Sequence, residues 1–134
     1  MINRVLLYNS GGGVGDALQI LPLINALKNE FKNAKKFTNK FKDKVTFYTE
    51  DSVFFLRNFK KKIDFLYLDS LDAQYSNASE HQLNEIKNSI KILHKNSLVL
   101  LDDQGGKTNL SKNYMIDNGL TIINETEQQI LFSK

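Results

Sequence analysis

Short apolar runs alternate with stretches of helical periodicity along this chain, a pattern that predicts strands and helices taking turns in an α/β fold. Residues 4–8 (RVLLY) form the first candidate strand, and residues 9–15 (NSGGGVG) follow as a loop. Leu18, Leu21, Ile24, Leu27 and Phe31 then recur at helical spacing, with Pro22 suited to a first turn or a kink. Residues 33–44 are polar apart from Phe37 and Phe41, which lie four apart as on one edge of a helix. Residues 45–48 read as a strand, and Asp51-Ser52 as the cap of a short helix reaching Phe59. A strand over 63–68 ends at Asp69, and Leu83, Ile86, Ile90 and Leu93 mark the apolar face of the next helix. Residues 98–101 form a strand ending at Asp102-Asp103. A helix over 110–116 is closed by Gly119, and residues 120–123 and 129–132 suit a closing antiparallel pair. Parallel neighbours need helical crossovers, so the alternation as a whole predicts a mostly parallel sheet with helices on both faces.

Composition narrows the class. The chain has 134 residues, 41% of them hydrophobic and 10% aromatic, which fits one folded domain with its own core. No apolar run approaches the roughly 20 residues that span a bilayer. The N-terminal apolar stretch is too short for a signal peptide and runs into glycines. Cysteine is absent, which excludes disulfides, thiolate metal sites and a cysteine nucleophile. Together these features predict a cytoplasmic protein. The net charge of +3 is uneven, with lysines crowded between Lys28 and Lys44 and a second knot at Arg57, Lys60, Lys61 and Lys62. Such clusters serve either as solvated helix flanks or as contacts for an anionic partner, such as a nucleotide or the cytoplasmic membrane face. No nucleic-acid motif or aromatic platform accompanies them, so no nucleic-acid partner is expected.

Candidate chemistry gathers after the strands. Asp51, Asp69 and the pair Asp102-Asp103 each stand just beyond a predicted strand, and open α/β sheets bind ligands at that carboxyl edge. Asp69, Asp102 and Asp103 are hard oxygen donors suited to Mg²⁺. Aspartates also cap helices and start turns, and Lys107, after the Gly105-Gly106 turn, could fold back to neutralise the cluster. The run Gly11-x-Gly13-x-Gly15 lies between a strand and a helix, where backbone N–H groups can approach a polar ligand closely.

The stretches VTFYTEDSVFFLRNFKKKIDFLYLDSLDAQ, SEHQLNEI and SLVLLDDQGGK resemble class I S-adenosylmethionine-dependent methyltransferases from their third strand onward, covering about residues 34–134. The resemblance implies a Rossmann-like three-layer sandwich and O-methyl transfer to a sugar or other small-molecule hydroxyl. It further implies that the first strand lies directly beside the strand at 63–68. By it, Gly11, Gly13 and Gly15 pass under the methionine part of S-adenosylmethionine, and Asp51 and Ser52 lie beside its adenine. Asp69 would sit near the transferred methyl group as both cofactor-binding and catalytic residue. Asp69, Asp102 and Asp103 would match the Mg²⁺-binding carboxylates of metal-dependent members, and His81 would fall on the substrate side.

The N-terminal segment YNSGGGVGDALQILPLINALKNEF instead resembles the opening of lipopolysaccharide heptosyltransferases, through Gly15-Asp16, Pro22 and Leu27. That family would make Asp16 a general base toward an acceptor hydroxyl. The two resemblances meet near Asn33, so residues 1–134 read as one domain with a composite junction there. The second strand of a methyltransferase, with its ribose-binding acid, is missing from the pattern; Glu30 falls on the helix and is a poor substitute. A heptosyltransferase-like fragment and a non-catalytic nucleotide-binding module are therefore the alternative readings.

Overall fold

The computed structural model describes residues 5–9 and 50–134, of which residues 5–9 and 51–134 share one compact unit. Expectations placed on residues 10–49 fall outside the described residues: Gly11, Gly13, Gly15, Asp16, Pro22, the first helix, the strand at 45–48 and the absent second strand. The described elements are strand β1 (Val5–Asn9), helix α1 (Ser52–Asn58), strand β2 (Ile63–Asp69), helix α2 (Ala78–Ser89) with a 3₁₀ turn at Ile90–Ile92, strand β3 (Leu93–Leu101), helix α3 (Asn109–Asp117), and strands β4 (Thr121–Glu125) and β5 (Ile130–Ser133).

The sheet order is β1-β2-β3-β5-β4. β1 pairs parallel with β2 and β2 parallel with β3, whereas β5 pairs antiparallel with both β3 and β4. This corrects the expectation of a mostly parallel Rossmann-like three-layer sandwich. Half of the pairings are antiparallel, and the described residues form a mixed sheet with three α-helices. The cause is local. Only residues 126–129 join β4 to β5, too few for a crossover, so the two must form a hairpin. The hairpin then docks through its second strand, which carries the reversed direction onto β3.

Period-two alternation sets the core. Leu66 stands opposite Val99 and Leu68 opposite Leu101, and these continue to Phe132 and Ile130 on β5. All six are wholly buried and share one cluster with Phe55 and Leu56 of α1, Ile86 of α2 and Met115 of α3. The three helices therefore cover the same face of the sheet. The cluster fixes the register, because a slip of one residue would turn every one of these side chains to the other face.

Helix ends follow the capping signals. The Asp51 carboxylate accepts from the Phe54 N–H at 2.9 Å and caps α1. Gly119, at φ 81°, closes α3 in the left-handed conformation, with its N–H donating to the Ile116 carbonyl at 3.0 Å.

Two elements depart from the periodic reading. β3 begins at Leu93 rather than near 98, since residues 94–97 bulge out between the Ile63–Leu93 and Phe65–Leu98 pairs. The bulge is held by Ser97, whose hydroxyl donates to the Ile63 carbonyl at 2.6 Å and accepts from the His94 N–H at 2.7 Å. The inward face of α2 is Ala78, Gln82, Glu85, Ile86 and Ser89, so it is largely polar, while Leu83 is only half-buried.

Candidate functional site

The register brings the sequence-predicted acids to one sheet edge. Asn9 at the end of β1 pairs with Asp69 at the end of β2, and Leu68 pairs with Leu101, one residue before Asp102. The Asp102 N–H donates to the Leu68 carbonyl at 3.2 Å, which carries the β2–β3 ladder to this edge.

Two polar groups form there, on opposite faces of the sheet. Tyr67 and Asp69 are two apart on β2, so their side chains share the face away from the helices. The Tyr67 hydroxyl donates to the Asp102 carboxylate at 3.1 Å, and the Gln129 side-chain amide donates to the other Asp102 oxygen at 2.8 Å. Burial first, and then the Asp69 and Asp102 carboxylates, hold the Tyr67 hydroxyl pKa far above its ordinary value of 10.0. Tyr67 is thus a fixed hydrogen-bond donor set between two acids.

A raised tyrosine pKa stabilises the fold in full below pH 10, and that contribution is lost as the pH rises through the folded-state value. In an alkaline absorbance titration, one of the five tyrosines is therefore expected to keep its proton until the protein unfolds. Five tyrosines ionising together near pH 10 in folded protein would contradict this arrangement.

The helix-covered face of the same edge holds Ser70, Glu85, His81 and Ser52. The Ser70 hydroxyl donates to one oxygen of the wholly buried Glu85 carboxylate. The other Glu85 oxygen lies 3.5 Å from His81 Nε2, an ion-pair contact, and that nitrogen is also 3.0 Å from the Ser52 hydroxyl. Glu85 holds the imidazole pKa above the ordinary 6.5, against the opposing effect of burial. Gln82, one turn before Ile86 on the same face, is wholly buried with neither end of its amide hydrogen-bonded.

The backbone is strained at this edge. Leu71 has φ 47° and Asp103 has φ 57°, each two residues beyond the end of a parallel strand. Left-handed backbone is uncommon for aspartate and an outlier for leucine. Such strain persists only where surrounding contacts impose it, and it concentrates at ligand sites.

The metal set expected from sequence does not assemble. Among the described residues no group of three or more His, Asp or Glu side chains could hold a metal ion. Asp102 is occupied by Tyr67 and Gln129, while Asp103 turns to Lys107, whose ammonium donates to it at 2.8 Å. Lys107 has a fully buried side chain, so its charge is compensated by this contact rather than by water. The donor set does not fit Mg²⁺. Asp51 is exposed and engaged in capping α1, and Ser52 is buried against His81.

Lys107 folds back onto Asp103, as its place after the glycine turn allowed, whereas Glu85, Tyr67 and Gln129 carry no motif, because isolated polar residues inside apolar periodicity have none. The Tyr67–Asp69 spacing of two within a strand was the one available signal. Comparison with models of known protein families gave no match, and comparison with curated proteins gave none either. Among the described residues, no helix is long and apolar enough to cross a membrane.

Proposed function

We propose that this unit binds S-adenosylmethionine at the carboxyl edge of β1, β2 and β3 and methylates a hydroxyl of a sugar or other small molecule. The observation that supports this reading is the pairing of Asn9 with Asp69. It puts the strand that leads into the Gly11–Gly15 run directly beside the strand ending in Asp69, as the resemblance to methyltransferases requires. The strained positions Leu71 and Asp103 lie at the same edge and favour a ligand site there.

Bound at this edge, S-adenosylmethionine would supply an activated methyl group. Asp69 would orient the acceptor hydroxyl and receive its proton. Tyr67, which keeps its proton, would hold the Asp69 carboxylate in place. Asp51 has a structural duty as a helix cap, so Asp69 carries most of the reading.

Isothermal calorimetry with S-adenosylhomocysteine tests it. The unaltered protein should bind, and Asp69→Ala should weaken binding by about 1–3 kcal/mol, the cost of stranding a buried polar partner. Chelating or adding Mg²⁺ should leave the affinity unchanged, since Asp102 and Asp103 are held by other side chains. No heat of binding in the unaltered protein would favour the non-catalytic module instead.

A further inference from the structure

We propose that His81 and Glu85 form a proton-dependent latch on the core-facing side of the edge, holding the loop after Asp69 in its strained conformation. The latch does not rest on the identity of the ligand. It follows from a chain of contacts crossing three elements. Ser52 opens α1, His81 and Glu85 stand one turn apart on α2, and Ser70 is the first residue after β2. Ser70 donates to Glu85, Glu85 faces His81, and His81 reaches Ser52. Leu71, next to Ser70, carries the positive φ of 47°. A bulky residue stays in that region only when its neighbours are pinned, and Ser70 is pinned by a wholly buried carboxylate.

The imidazole determines what the latch can do. When His81 is protonated, Nε2–H donates to the Ser52 hydroxyl and its positive charge compensates buried Glu85. When it is neutral with the proton on Nδ1, Nε2 accepts from Ser52, and Glu85 loses its cationic neighbour. The charged groups that face His81 are Glu85 on its own helix, Asp51 at the cap of α1, and Lys107 ahead of α3. The first two favour the protonated ring and Lys107 opposes it, with Asp103 compensating Lys107 at 2.8 Å. Because the folded value lies above 6.5, the latch is fully closed below pH 6.5 and loosens as the pH rises through that folded value. The backbone that then relaxes is residues 70–72, immediately after Asp69.

An NMR titration of the full chain reads this directly. His81 and His94 are the two histidines of the sequence, so their ring signals are separated by His94→Gln, which alters a contact with Asp64 on a different part of β2. The His81 ring should titrate above 6.5, and the amide signals of Ser70, Leu71 and Asp72 should shift with the same midpoint. In Glu85→Gln the His81 midpoint should fall and the three amides should stop responding, while unfolding remains cooperative. A ring midpoint at or below 6.5, or amides that ignore it, would overturn the latch, and both are read in the unaltered protein even where a variant fails to fold. An unchanged His81 midpoint in folded Glu85→Gln would overturn it equally.

Discussion

Phe132→Ala is expected to lower the unfolding free energy by about 3–5 kcal/mol, read from urea denaturation monitored by circular dichroism. Phe132 is wholly buried on β5, opposite Val99 of β3 on one side and Ile122 of β4 on the other. β5 is the strand through which the C-terminal hairpin joins the rest of the sheet. Truncation there leaves a cavity between two strand pairs, and the rigid sheet can close it only in part. Ile123→Ala is the control. It lies on edge strand β4, more than half exposed, and should change stability by no more than about 0.5 kcal/mol. Equal losses from the two substitutions would mean that β5 does not lie between β3 and β4 in this sheet.

The contrast between Phe132 and Ile123 also marks how far the fold is legible in the sequence. Apolar runs announce strands at 63–68, 98–101, 120–123 and 129–132, each overlapping an observed one, and Asp51 and Gly119 announce helix ends, because those signals are local. Whether a C-terminal hairpin docks by its first or its second strand depends on which face buries more apolar surface against β3. Ile130 and Phe132 are buried at alternate positions, whereas β4 is largely exposed. That preference for β5 is a tertiary outcome, and it sets β5 antiparallel against β3. The early start of β3 is hidden for a related reason. Residues 94–97 are polar and look like a turn, yet Ser97 and His94 bind back to Ile63 and Asp64 and keep the strand attached.

The candidate site is legible only in outline. Acids after strands mark the carboxyl edge, and the pairing of β1 with β2 brings Asn9 to Asp69 there. What each acid binds is not written locally. Asp103 and Lys107 are four apart, a spacing that suits an ion pair across a short turn, but Asp102 finds Gln129 across 27 positions. The inward face of α2 shows the same limit. Of the periodic positions on α2, Ile86 is buried and Leu83 only half-buried, while Gln82, Glu85 and Ser89 are buried beside Ala78. Ser70 and His81 offset the cost of burying Glu85, and the Ile86 carbonyl that of Ser89, and no hydrophobicity pattern reports such compensation.

Asp102→Ala should expose what that compensation contributes. The carboxylate accepts from Tyr67 at 3.1 Å and from Gln129 at 2.8 Å, and the residue is itself buried. Alanine removes this acceptor from both donors, but Gln129 is only half-buried and its amide can turn to water, so the loss is expected to be about 1–3 kcal/mol, set by the buried Tyr67 hydroxyl and smaller than that of Phe132→Ala. Asp102→Asn should lose less, because one oxygen survives as an acceptor while the new amide faces a donor. The order of stability is therefore unaltered protein, then Asn, then Ala, as read by urea denaturation at neutral pH. The alkaline titration gives a second reading of the same contact. Burial is the largest cause of the raised Tyr67 pKa, with Asp69 next and Asp102 after it. Asp102→Ala should thus bring Tyr67 ionisation to lower pH, yet still above the ordinary tyrosine value of 10.0, because burial and Asp69 remain. A metal-ligand role for Asp102 predicts the opposite ranking in stability. Removing one of several clustered, mutually repelling carboxylates would stabilise metal-free protein, and Asp102→Ala more stable than the unaltered chain would reinstate that role.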